Sequence, residues 1–427
     1  MSDILNAQLT DRLMRVLRAV EPVDLASNPQ GLSEGTPRTF YVDSGISDAA
    51  ATNSGLEPDV AFATIAQAVG AAVADRGDTI LVYPGHTESL AAALAVNKAG
   101  VSIIGMGTGR GRPTLTITGA VDGVDITAAN VKFCGFVFAG PTAAATAYIN
   151  IAAADVEVCC CEFIADGDAT EVITIPDAGD RAFVHDCVFR ITANGPTKGV
   201  SIESASTDGV RLRNLVSHSG SLTNAWDNAF IYSTVAHTGC LIEDIRNDFG
   251  PTLAFTAAAT GLLKDIWPGD VSAGASQLNP GSCYVQGGPS DGYLTRRATA
   301  DIHTAGSVNL FTVTGRVEMT RIVLEVTTVI GAGADTLKLT HTPTSGSATD
   351  ICAASASIAN KAVGDTFGIT GTYATAMVVA GVAPVQTNNV LLKAGILSSV
   401  STNNTTGSTK VDMWWKPLDV GSAVVIA

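Results

Sequence analysis

Aromatic residues make up only 6% of the 427 residues, and the 25 Lys and Arg are outnumbered by 40 Asp and Glu. The first scarcity, beside abundant Ala, Val, Thr and Gly, argues against thick globular cores and for thin, stacked β layers. The second leaves a formal charge of −15 and no basic face for nucleic acid. No apolar run reaches 18 residues, so no membrane-spanning helix is expected. Eight cysteines without paired spacings describe no disulfide framework, and reduced thiols made in a cytoplasm are the expectation. No secretory leader is expected either, because Asp3, Asp11, Arg12, Arg15 and Arg18 interrupt any apolar stretch near the start.

What the chain does contain begins with an amphipathic pattern over residues 3–20. Leu5, Leu9, Leu13, Val16, Leu17 and Val20 recur at helical spacing. Such a helix either docks on its own protein or bundles with copies of itself or a larger assembly. Leu5, Leu9, Leu13 and Leu17 are its candidate interface residues. A Pro/Ser/Gly-rich stretch, Glu21–Pro37, separates it from the rest.

A second pattern is internal repetition. The template apolar-x-apolar-x-x-apolar-x-(apolar or small) fits at Ile80, Val101, Val131, Val156, Ala182, Val210, Cys240 and Gly261. Successive starts lie 21, 30, 25, 26, 28, 30 and 21 residues apart. Most repeats carry a second apolar strand, such as EVITIPD, GVSIESA or AFIYSTV. The text between strands, as in TANGPTKG, is turn-like and not helical, which rejects a doubly wound α/β fold. A solenoid of parallel coils spaced about 4.8 Å apart satisfies all of this.

The opening of this region carries a resemblance. Tyr41-Val42-Asp43, then Gly55-Leu56 with Pro58, then Phe62-Ala63-Thr64-Ile65 with Gln67, lead into Gly77-Asp78-Thr79-Ile80, Val82, Pro84-Gly85 and Glu88. The run resembles the start of right-handed parallel β-helix proteins of bacteriophage virions, with Val60-Ala61 where Pro is usual. The resemblance implies a right-handed, single-stranded parallel β-helix capped by a helix over Phe62–Val73, and a trimeric assembly. After the Pro/Gly/Ser stretch Asp270–Asp291, short alternating strands take over, which predicts an antiparallel β-sandwich. Its Trp415-x-Pro417-Leu418 ending is similar to jelly-roll-like domains of phage structural proteins. The expected division is 1–38 for attachment, 39–290 for the β-helix and 291–427 for the sandwich.

Aligned repeats give each position an address. Met106, Phe136, Cys161, Cys187, Leu215, Ile245 and Ile266 share an inward column, and Phe138, Phe163 and Phe189 share another. Gly105, Gly135, Cys160, Asp186, Asn214, Asp244 and Asp265 share a column of residue types that tolerate left-handed backbone, hence a corner. Cys134, Cys159 and His185 fall in an outward column. Zinc would suit these ligand types, but stacked parallel side chains are not expected to converge and no fourth ligand is evident, so neither metal nor cofactor is expected.

Catalysis on polysaccharide needs two carboxyl groups about 5–9.5 Å apart. The candidates are Asp166, Asp168 and Glu171, then Asp177 and Asp180, and Asp227 with Glu243 and Asp248. Trp226 and Tyr232 are placed to stack on sugar near Asp227. All lie in turn-like text, where Asp is ordinary. The six histidines are scattered, and Gly105–Pro113 lacks the Lys-Ser/Thr of a phosphate loop. Trp414 and Trp415 adjoin on one strand, so one should face the core and the other an outer surface or partner. The expectation is a virion structural protein, a homotrimeric surface decoration or fibre component bound to capsid or other virion proteins through its N-terminal segment. The rival is a tailspike that binds and cleaves host surface glycan.

Overall fold

The computed structural model describes residues 35–427 except 47–48, 51, 141–143, 167–168, 194, 256–258, 270, 272–276, 281–282, 287–291, 302–304, 381–385 and 404–405. The helix expected over residues 3–20, with Leu5, Leu9, Leu13 and Leu17, lies outside the described residues. The fold is all-β: a parallel β-solenoid followed by antiparallel sheets, with little helix. No helix among the described residues is long and apolar enough to cross a membrane.

Alternating side chains drive the solenoid. In Thr79–Val82, Ile80 and Val82 are fully buried while Thr79 and Leu81 are not, and the next strand, Ser102–Gly105, buries Ile103. Stacking these strands in parallel register puts apolar residue on apolar residue: Val158 pairs with Phe133 below and Val184 above. The repeat starts stack as expected from Val101 to Gly261. Ile80 is the exception, because it pairs with Ile103 and so lies two residues out of the proposed register. Strands Thr39–Val42 and Tyr284–Gln286 extend the stack at its two ends. The second strands form a separate eight-stranded parallel sheet.

In the coils that start from Val131 to Cys240, two left-handed residues turn the chain. One column comprises Gly100, Asn130, Asp155, Arg181, Gly209 and Gly239, each just before a repeat start. The other is the expected corner: Gly135, Cys160, Asp186, Asn214, Asp244 and Asp265 have φ between 49° and 90°. Gly105 departs from that expectation, since its φ is not positive. It is glycine because a Cβ there would lie 2.6 Å from the Gly135 carbonyl oxygen. From Phe183–Ala193 onward the strands run through the corner, which joins two faces into one fourteen-stranded sheet.

The phenylalanine column is a true stack. Phe138, Phe163 and Phe189 lie at 5.0 Å centroid spacing with nearly parallel rings. It stops where Ser217 takes the next position, and there Trp226 enters the core and donates from Nε1 to Ser217 Oγ at 2.9 Å. At the solenoid's start, the helix Ile65–Ala71 caps the first coil, shorter than the expected Phe62–Val73. Thr64 and Gln67 close its N-terminus with a reciprocal capping box.

The C-terminal residues form a six-stranded and a five-stranded antiparallel sheet. The stretch NVLLKAGI, which reads as one strand, is two. Val390–Leu392 joins the first sheet and Gly395–Ser401 the second. A Cβ at Gly395 would lie 2.3 Å from the Thr342 carbonyl oxygen, so the crossing needs glycine. Gln277 ties this region to the solenoid: Oε1 accepts from Leu294 N at 2.6 Å and Nε2 donates to Gly269 O at 2.7 Å.

Phe163→Ala should open a cavity in the middle of the aromatic stack. The expected cost is about 3–5 kcal/mol, read as a lowered urea midpoint.

Candidate functional site

The long strands place three outward positions around the corner in every coil. His185, Arg213, Glu243 and Lys264 precede it, and Arg246 and Trp267 follow it. Between them the left-handed residues Asp186, Asn214, Asp244 and Asp265 turn the backbone, leaving an open groove of about 630 Å³ along the rod. Three basic and four acidic side chains line it together with Asn214 and Trp267. Trp267 is 46% exposed. Asn214 Nδ2 donates to Asp186 Oδ1 at 2.5 Å, and Arg246 pairs with Asp244 at 3.2 Å. Burial works to raise the Asp186 pKa, but the hydrogen bonds from Asn214 and His185 outweigh it and hold the carboxyl below its ordinary value.

Beyond His185 the same face continues as an ionic ladder. His185 bonds Asp186 through Nδ1 at 2.7 Å and Glu157 through Nε2 at 3.1 Å, and Lys132 Nζ donates to Glu157 at 2.8 Å. The His185 bond, with help from Lys132, brings the Glu157 carboxyl down to about 2 against the effect of burial. Phe183 stacks on the His185 ring at 4.2 Å, and the Arg211 and Arg213 guanidiniums sit over Phe183 at 4.9 and 5.1 Å.

The thiols occupy the expected columns but not the expected depths. Cys161 is buried in the core, and Cys159 does pair with Cys134 and His185. Yet Cys159 is buried and Cys160 is exposed, which corrects the reading of Cys159 as the surface thiol. The left-handed φ of 56° at Cys160 interrupts the alternation, so its sulfur stays beside its neighbour's. The sulfurs of Cys134, Cys159 and Cys160 lie within 4.8 Å of one another, whereas stacked side chains were expected not to converge. The ligand atoms of Glu157, Cys159 and His185 form a second set within the same limit.

The carboxylate candidates separate. Asp166 ends the strand Glu162–Asp166, and Asp168 lies outside the described residues. Asp177 accepts from Ser204 Oγ, Asp180 from Asp208 N, and Asp248 from Ser219 and Gly220, so each is spent on holding a loop. Asp227 is exposed, but Trp226 beside it is buried and cannot stack on sugar. Tyr232 instead faces Lys198, whose Nζ is 5.0 Å from its ring centre.

Glu171 has a partner that reading the repeats one at a time missed. Val172 and Ile173 both point into the core, so the strand bends there and leaves Glu171 and Thr174 together outside it. Thr174 Oγ1 donates to Glu171 at 2.6 Å, and Lys198, its register partner one coil on, forms an ion pair with it. Glu203 Oε1 lies 3.4 Å from the same Lys198 Nζ. Burial, then the charge of Glu171, raises the Glu203 pKa. Aligning EVITI with KGVSI would have found the Glu171–Lys198 pair. Trp415 is fully buried and bonds Thr295 Oγ1 at 3.0 Å, while Trp414 is half-buried on the outer side under the Arg321 guanidinium, 4.9 Å away.

No family model and no curated protein matches the chain. Among solved structures, it is similar to a rhamnogalacturonan lyase at 15% identity and TM-score 0.31, covering 53% of this chain and 74% of that one. The enzymatically active domain of bacteriophage CBA120 tailspike protein 4 is 11% identical with TM-score 0.26, covering 82% of this chain and 64% of that one. The Acinetobacter phage vB_ApiP_P1 tailspike protein is 9% identical with TM-score 0.24, covering 82% of each. Likenesses of this size carry no argument about activity. The class the fold itself defines is a parallel β-solenoid followed by antiparallel sheets.

Lys198→Met would leave Glu171 buried without its cation. A loss of about 3–5 kcal/mol is expected in the urea midpoint, largely restored in the Glu171→Gln/Lys198→Met double variant.

Proposed function

We propose that the chain is a bacteriophage virion structural protein, a homotrimer that attaches through residues 1–38 to capsid or other virion proteins. Its rod meets host-surface polysaccharide as a binding face that does not cleave it. The virion assignment rests on the β-helix opening motif and the solenoid that follows it. The glycan assignment rests on one observation, the groove from Asp186 to Trp267. Carboxylates, guanidiniums and an amide repeat there at the coil spacing of about 4.8 Å. Such groups pair with hydroxyls, and the half-exposed Trp267 ring can stack on the apolar face of a sugar.

Glycosidase chemistry needs an acid and a second carboxylate both open to the bond. Glu171 is 5% exposed and tied to Lys198 and Thr174, and of the groove's four carboxylates Asp186 and Asp244 are bonded to Asn214 and Arg246, which leaves Glu243 and Asp265. One observation favours the rival reading of a cleaving tailspike. Glu203 is exposed beside Lys198, and burial and the charge of Glu171 work to raise its pKa, the direction a proton donor needs.

The purified chain should bind capsular or lipopolysaccharide glycan of its host, measured by calorimetric titration, without release of reducing ends. Trp267→Ala should weaken that binding by roughly tenfold or more, in line with about 1.4 kcal/mol for a lost aromatic contact. Release of reducing ends that disappears in Glu203→Gln would favour the tailspike reading instead.

A further inference from the structure

We propose that Cys134, Cys159 and Cys160 form a trithiolate site for a soft divalent cation of the zinc–cadmium class, independent of the glycan groove's function. The convergence has a specific structural cause. Cys134 and Cys159 are register partners on adjacent parallel strands, so their side chains stack on the outer face of the sheet. The residue after Cys159 would ordinarily point to the opposite face. Its left-handed backbone cancels that alternation, and the Cys160 sulfur joins the other two.

The dimensions suit a metal. Zinc–sulfur bonds of about 2.3 Å in a tetrahedron set the sulfurs roughly 3.8 Å apart. The three sulfurs lie within 4.8 Å of one another, so small χ1 rotations close the site, and cadmium, with longer bonds, needs less. Thiolate donors select soft ions over magnesium or calcium. Cys160 is exposed and gives an entry path, Cys134 is half-buried and Cys159 forms the floor. Lys132, two residues before Cys134 on the same strand face, stands beside the site with its ammonium bonded to Glu157 at 2.8 Å.

His185 does not supply the fourth ligand. Both of its ring nitrogens are engaged, by Asp186 at 2.7 Å and Glu157 at 3.1 Å. The fourth position therefore goes to water from the exposed Cys160 side. On binding, the thiols release their protons to solvent, three metal–sulfur bonds form, and no electrons are transferred.

Full-length protein, kept reduced with a phosphine, should be titrated with cadmium ion while thiolate-to-metal charge transfer is followed in the near ultraviolet. One equivalent per chain should give the band, and both Cys160→Ser and Cys134→Ser should abolish it with unchanged melting temperature. Absence of the band in the reduced wild type overturns the site. So does a band that persists in both variants, which would place binding at other thiols, such as Cys240 and Cys283, whose sulfurs lie 3.8 Å apart. If Cys160→Ser fails to fold, Cys134→Ser alone decides between these outcomes.

Discussion

Everything on the outer face of this rod depends on a left-handed residue placed once per coil at one corner. An L-residue in that conformation costs roughly 1–2 kcal/mol, and after Gly135 five successive coils place one there, from Cys160 to Asp265. The side chains there offset part of the cost. Asn214 donates to Asp186, and Asp244 accepts from Arg246. Because the corner turns each strand at the same point, the residues flanking it come into line from coil to coil. That alignment produces the groove between Arg213 and Trp267, and two coils earlier it gathers three sulfurs in place of charged groups.

The corner is placed by local backbone, but the rod is held together from inside. Phenylalanines 138, 163 and 189 stack through three coils, and the surrounding positions are Val, Ile, Leu and Cys with almost no exposure. The outer ion pairs, such as Lys132–Glu157 and Arg190–Glu162, link neighbouring coils in partly solvated surroundings. Pairs of that kind contribute about 0–1 kcal/mol each. They set the charge pattern a partner meets more than they set stability. Glu171 with Lys198 differs, because both are largely withdrawn from solvent and either one alone would be an uncompensated charge.

Much of this was legible because a solenoid repeats. Once the apolar template is aligned, the inward cysteines, the phenylalanine stack and the corner column follow from residue type. Three features resisted for physical reasons. The second left-handed column contains Arg181, a residue with no turn preference, so composition did not mark it. The depth of Cys159 depends on side chains from three strands and from its own neighbour, whereas the repeat pattern reports only which face it is on. Glu171 and Lys198 sit on the second strands, and a bend that sends Val172 and Ile173 both inward breaks the two-residue period there. The helix expected over residues 3–20 and Asp168 lie outside the described residues.

The most direct test of the corner is the order in which the cysteines react. Folded, reduced, chelator-treated protein is exposed to a brief pulse of a small alkylating reagent, and each site is read by peptide mass spectrometry. Cys160 should label first and Cys134 more slowly, while Cys159, Cys161 and Cys187 stay protected until unfolding. Labelling of Cys161 or Cys187 as fast as Cys160 would mean that the chain does not turn at Cys160, and the register of the whole outer face would be wrong.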